Sequence, residues 1–129
     1  VKNIDFALDL AERLPLIHAV SDQLTQVLIN LLINAIDSLD GKPGRIAVRS
    51  YEYDNGVRIE VRDNGKGILE EDSEKIFEPF FTTKEVGKGT GLGLWVSYGI
   101  VKTFGGDINV ESAVGRGSKF TITFPLAGA

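Results

Sequence analysis

Two asparagines four residues apart, Asn30 and Asn34, interrupt the apolar run QVLINLLINAIDSL. In a helix that spacing places both amides on one side, and Gln26 extends the stripe by a turn. Polar groups set among so many Leu, Ile and Val residues need partners. Nearby backbone or water can supply them, and so can a ligand. An amide carbonyl is a hard oxygen donor suited to Mg2+, which keeps several waters and takes further ligands from phosphates. A second group is DNGKGI, at the exit of an expected strand. Its Asp63 carboxylate can accept a hydrogen bond from the amino group of a planar base, while Gly65 and Gly67 let a ring approach the backbone. The same Asp-Asn-Gly triplet also makes an ordinary turn.

The third group is the run GKGTGLGL ahead of an expected helix. Glycines in that position let several N–H groups converge on an anion, and the helix dipole favours negative charge there. Neither G-x-G-x-x-G nor G-x-x-x-x-G-K-[ST] can be placed on Gly87 to Gly93, which removes support for dinucleotide-fold and Walker-type readings. Before the glycines stands FEPFFTTK, whose Phe77 and Phe80 are expected to anchor a loop to the core. Lys84, between anchor and glycines, is placed to meet a phosphate; Lys88 is a weaker candidate of the same kind. A plainer reading makes the run a flexible loop leading into a helix packed closely through Gly93, with both lysines solvated.

The elements that would hold these groups can be read from pattern. The chain has 129 residues, 43% of them hydrophobic, which fits one domain with a core able to fold alone. Ile4 to Leu10 and LPLIHAV read as two strands. Ser21 or Asp22 caps a long helix, ended by Gly41, Pro43 and Gly44. Leu24, Leu28, Leu31, Ala35 and Leu39 form its apolar stripe, widened by Val27, Leu32 and Ile36. Two alternating runs around Asp54-Asn55-Gly56 predict a hairpin, because Asn-Gly tolerates the positive φ angles of a tight turn. A long irregular segment from Leu69 to Thr90 has the length of a functional lid. A helix from about Gly91 to Phe104, capped by Thr90, and a final hairpin turning near Gly115 and Gly117 complete the chain.

Composition narrows the function. A net charge of −4 argues against a general nucleic-acid surface, since neutralising phosphates takes clustered Lys and Arg. The absence of Cys excludes disulfides, thiolate metal sites and a Cys nucleophile. No apolar run approaches membrane-spanning length, and VKNIDFALDL lacks the features of a signal peptide. The chain contains no Met, so a fragment of a longer parent is expected, with any membrane segment elsewhere in that parent.

Taken in order, these stretches resemble the ATP-binding catalytic domain of sensor histidine kinases, within the GHKL superfamily. QVLINLLINAIDSL is similar to the N box, DNGKGI to the G1 box, FEPFFTTK to the F box and GKGTGLGL to the G2 box. The ending NAIDSL most resembles kinases of the nitrogen-regulator type. The resemblance implies an α/β two-layer sandwich of the Bergerat type, a mixed sheet backed by helices, forming a single catalytic domain over residues 1–129 with an ATP lid at about 69–90. It implies ATP and Mg2+ as ligands. By carry-over, Asn34 coordinates the metal and Asn30 supports phosphates or metal. Asp63 binds the adenine amino group, and Gly65 and Gly67 shape the base pocket. Gly89, Gly91 and Gly93 bend the lid and receive phosphates, with Thr90 and Leu92 between them in the nucleotide site. Ser118 lies near the adenine and acts through water. Asp37 stands where many members carry Lys or Arg, which gives Lys84 more weight.

The resemblance also implies the partners: a His-bearing dimerisation domain of the same kinase and a cognate response regulator. No nucleic acid or direct membrane contact is expected, the location is cytoplasmic, and homodimerisation belongs to the full-length protein. In the hydrolysing branch of the superfamily, the residue four before the metal-binding Asn is a Glu that activates water. Here it is Asn30, which cannot act as a carboxylate base. Hydrolysis is therefore disfavoured. His18, the only histidine, sits in an apolar run without the helix and acidic neighbour expected of a phosphoacceptor.

Overall fold

The computed structural model describes residues 4–14, 21–81 and 93–125. Strand β1 covers Ile4–Leu10, and helix α1 runs over Ser21–Ser38, a stretch free of Gly and Pro. Strands β2 (Gly44–Tyr53) and β3 (Gly56–Asp63) follow, then a short 3-10 turn at Glu70–Asp72. Helix α2 spans Gly93–Thr103, and β4 (Asp107–Ala113) and β5 (Gly117–Phe124) form the last hairpin. The sheet is mixed, in the order β1-β2-β3-β5-β4. The β1 and β2 strands pair in parallel and every other neighbouring pair is antiparallel.

Alternation along the inner strands decides which sheet face receives the helices. Val57, Ile59, Val61 and Asp63 of β3 point the same way as Ser118, Phe120, Ile122 and Phe124 of β5, and all are buried. Against that face lies α1, whose innermost residues are Val27, Leu31, Ala35 and Leu39. The α1 helix packs on α2 as well as on β3 and β5, while α2 also covers β4. Burying side chains such as Phe120 or Leu31 contributes about 1.5–3 kcal/mol each, so this single layer of helices on one sheet face suffices for a core. The opposite face stays open and polar. There Arg49 stacks over Tyr51 at 4.4 Å and Arg58 over Tyr53 at 3.5 Å.

Most expected elements are present, with three differences. The β2–β3 hairpin turns on Asp54 and Asn55, whose φ angles are 50° and 65°, one residue earlier than an Asn-Gly turn would. Gly56 is instead the first residue of β3, where a Cβ would collide with the carbonyl oxygen of Phe124. Close strand approach, and not the turn, requires that glycine. Secondly, α2, whose expected start at Gly91 and cap at Thr90 lie outside the described residues, ends at Thr103, one residue before the expected Phe104, where Gly106 N–H bonds Val101 O and Gly105 N–H bonds Lys102 O. These are the two bonds of a Schellman cap.

The third difference concerns the aromatic anchor. Phe77 behaves as expected, its ring 5.6 Å from Tyr98 and set edge-on to Phe120 at 6.2 Å. Phe80 does not: it is 72% exposed, with φ at 66°. The second anchor is Phe81, partly buried against the core. Between them Phe81 N–H bonds Glu78 O in a turn that carries Phe80 at positive φ, and the two inward rings are four residues apart. Of the two strands read at the start, β1 is present; residues 15–20, including most of LPLIHAV and His18, lie outside the described residues. The edge strand β1 leaves Phe6, Leu8 and Leu10 exposed.

Candidate functional site

The polar stripe of α1 adjoins its buried one. Gln26, Asn30, Asn34 and Ser38 each precede a core residue by one position, so they line the border between α1 and its neighbours. Asn30 faces α2. Its Nδ2 donates to the carbonyl of Gly93 at 3.1 Å and to Ser97 Oγ at 3.1 Å, and its Oδ1 accepts from Gln26 Nε2 at 2.8 Å. Ser97 is completely buried and itself donates to Gly93 O at 2.9 Å. Asn30 therefore fastens the first turn of α2 to the middle of α1. Gly93 begins that turn, and a Cβ there would meet Asn30 Cγ at 3.8 Å, an ordinary contact.

One turn further on, Asn34 is half-buried, and no side-chain hydrogen bond holds it among the described residues. Its carbonyl oxygen remains available. No group of three or more His, Cys, Asp or Glu is arranged around a metal position among the described residues, so an all-protein cage is absent from them. A single amide oxygen matches the way Mg2+ binds, with water and nucleotide completing its shell. The residues present fit that ion.

Ser38, another turn along α1, points at the sheet. Its hydroxyl donates to Asp63 Oδ1 at 3.1 Å, and Gly65 N–H donates to the same oxygen at 2.9 Å. Asp63 closes β3 between Ile46 of β2 and Ser118 of β5 and is only 4% exposed. Burial pushes its carboxyl above the ordinary aspartate range; the N–H of Gly65, the hydroxyl of Ser38 and the backbone N–H of Ser118 pull it back. Such opposition is a mark of functional carboxylates as well as of structural ones.

The loop after Asp63 is clipped on three sides. Asn64 Oδ1 accepts from Arg45 N–H at 2.7 Å, Lys66 N–H donates to Ser38 O at 3.0 Å, and Gly115 N–H donates to Lys66 O at 2.8 Å. A side chain at Gly65 would run into the hydroxyl and carbonyl of Ser38, and Gly67 holds φ at 75° against the Ala113 carbonyl. Ser118 is buried beside Asp63. Its Oγ lies 2.9 Å from Ser112 Oγ, which donates to Gly117 O at 3.0 Å and accepts from Ile68 N–H at 2.7 Å.

The structure thus brings Asp63, Gly65, Gly67 and Ser118 together at one end of β3 and β5, with Asn34 reached through Ser38 and Asn30 turned toward α2. Lys84, Gly89, Thr90, Gly91 and Leu92 lie outside the described residues. Sequence reading missed Ser38, Ser97 and Ser112. Ser38 was signalled by its spacing, four residues after Asn34; Ser97 and Ser112 gave no signal, because their partners are distant in the chain.

The family model described as histidine kinase-, DNA gyrase B-, and HSP90-like ATPase matches residues 19–128. The chain is 49% identical over 115 residues to the sensor histidine kinase ZraS of Escherichia coli strain K12, covering 89% of this chain and 24% of the relative. It is 42% identical over 127 residues to sporulation kinase E of Bacillus subtilis strain 168, covering 98% of this chain and 17% of the relative. Among solved structures, the catalytic domain of histidine kinase ThkA superposes with a TM-score of 0.83 at 39% identity, covering 97% of this chain and 80% of that one. Full-length ShkA, solved in complex with AMPPNP, gives 0.84 at 31% identity, covering 99% and 27%. The chain belongs to the histidine kinase-, DNA gyrase B- and HSP90-like ATPase family, as an ATP-binding catalytic domain of the sensor histidine kinase kind. It spans about a quarter or less of the curated relatives it matches.

Proposed function

We propose that this domain binds Mg-ATP and donates the γ-phosphate to a His on a separate helical dimerisation domain of the same kinase, from which a cognate response regulator receives it. The observation that carries the reading is Asp63, a buried carboxylate held by Ser38, Gly65 and Ser118 at the mouth of the glycine-lined loop. Its remaining acceptor capacity suits the amino group of adenine, with Gly65 and Gly67 bordering the ring and Ser118 acting through water. Mg2+, when bound, would neutralise phosphate charge, with Asn34 as its protein ligand. A lid at about residues 69–90 is anchored by Phe77 and Phe81, and Lys84 with Gly89, Thr90, Gly91, Leu92 and Gly93 completes the phosphate side. Because ATP is the substrate, a cytoplasmic location follows; no described helix is long and apolar enough to cross a membrane.

Transfer is favoured over hydrolysis by what Asn30 does. Its amide is engaged at both ends, by Gly93 and Ser97 on one side and Gln26 on the other. It offers no carboxylate to activate water as a general base. The domain's task is then to position nucleotide and to stabilise charge. Calorimetric titration of this chain with ATP and Mg2+ tests the reading: saturable binding is expected, lost in Asp63→Asn, and a folded parent that binds nothing would refute it. Lys84→Ala is expected to weaken ATP binding with the fold preserved; unchanged affinity would remove Lys84 from the site.

A further inference from the structure

Asp63 is held from the helix layer as well as from its own loop. Ser38 Oγ and Gly65 N–H converge on the same oxygen, Oδ1, at 3.1 and 2.9 Å. Ser38 is fixed in turn, because its carbonyl accepts Lys66 N–H at 3.0 Å and its hydroxyl occupies the space a side chain at Gly65 would need. The torsion that turns an aspartate carboxylate is soft. Two donors on one oxygen remove that freedom, the backbone N–H of Ser118 bonds the same carboxylate, and the acceptor position left on the opposite oxygen is the one that can face a ligand.

We propose that Ser38 is a positioning residue for base recognition: by holding Oδ1 of Asp63 it presents the opposite oxygen as a fixed acceptor, and so makes the site prefer a 6-amino purine to a 6-oxo purine. The inference rests on the reading of Asp63 as the base-binding residue. An ionised carboxylate only accepts hydrogen bonds. A 6-amino group donates to it, whereas a 6-oxo group brings one acceptor against another unless the carboxyl is protonated or turns aside. The Ser38 hydroxyl opposes both escapes, stabilising the charged form and fixing its orientation.

The test is calorimetry with ATP and with inosine triphosphate, each with Mg2+, on the parent, Ser38→Ala, Ser38→Thr and Asp63→Asn. Alanine favours the helical position, and circular dichroism checks each fold. Ser38→Ala is expected to weaken ATP binding roughly tenfold, as loss of a hydrogen bond to a charged group implies, while inosine triphosphate binding falls less, so that the preference narrows. Ser38→Thr, which keeps the hydroxyl, should retain the parent preference. Equal losses for both nucleotides in Ser38→Ala, an unchanged ratio, or the same narrowing in Ser38→Thr would overturn the proposal. If ATP binds the parent and not Asp63→Asn, those results count against Ser38 alone; a parent that does not bind ATP overturns both readings.

Discussion

Asp63 sets burial against charge. Desolvation raises its pKa above that of an unfolded aspartate, so the native state favours the protonated form. The sign follows: this group's contribution to stability is greatest below the unfolded pKa and is lost as the pH climbs through the folded one. At neutral pH the ionised carboxylate is therefore a cost that Asn would not carry, and an Asn carbonyl can still accept from Ser38 and Gly65. Asp63→Asn should be at least as stable as the parent at neutral pH, and the parent should gain on it as the pH falls to about 4. Urea unfolding of both proteins across that range would show it. A variant less stable at neutral pH, with no relative change on acidification, would contradict the argument.

At the scale of elements, α1 and α2 are joined at Asn30. Asn30→Ala removes two donated bonds, to Gly93 and to Ser97, and should cost about 1–2 kcal/mol in urea unfolding. Phe120 lies at the centre of β5, 1% exposed and met edge-on by the ring of Phe77; Phe120→Ala should cost about 3–5 kcal/mol, with a clear fall in Tm by calorimetry. Sequence pattern served these elements unevenly. The α1 helix was legible because eighteen residues repeat an apolar step without a breaker, and the alternating strands were legible for the same reason. Gly56 was misread because its reason for being glycine is the Phe124 carbonyl on β5, far away in the chain, and local turn rules see only neighbours. Phe80 and Phe81 were exchanged because an irregular segment has no period to say which ring points inward. At the site, Asn30, Asn34 and Asp63 stood out by type and spacing, but Asn30's attachment to α2 depends on a contact that only the fold creates.

The whole molecule divides labour between its layers. The sheet supplies Asp63 and Ser118, the helix layer supplies Asn30, Asn34 and Ser38, and the nucleotide reading places ATP where the two meet. The chain's single histidine, His18, lies in the apolar run LPLIHAV with no acidic residue next to it in sequence. Incubated alone with labelled Mg-ATP, this chain should gain no acid-labile label. Mixed with the His-bearing helical domain of its kinase, it should label that domain with the acid lability of phosphohistidine. Label on the isolated chain, or acid-stable label on the added domain, would point to different chemistry.

The serine pair behind Asp63 gives the site a direction for its protons. Ser112 has one hydroxyl hydrogen, and Gly117 O takes it. The 2.9 Å contact with Ser118 must then be filled by the hydrogen of Ser118, which leaves Ser118 with only lone pairs to offer. Beside it stands a carboxylate, whose ionised form also has only lone pairs. The wall is thus electron-rich throughout, with its own hydrogens drawn back into the sheet, and it can read a base only by the hydrogens that the base, or a water carried with it, brings forward.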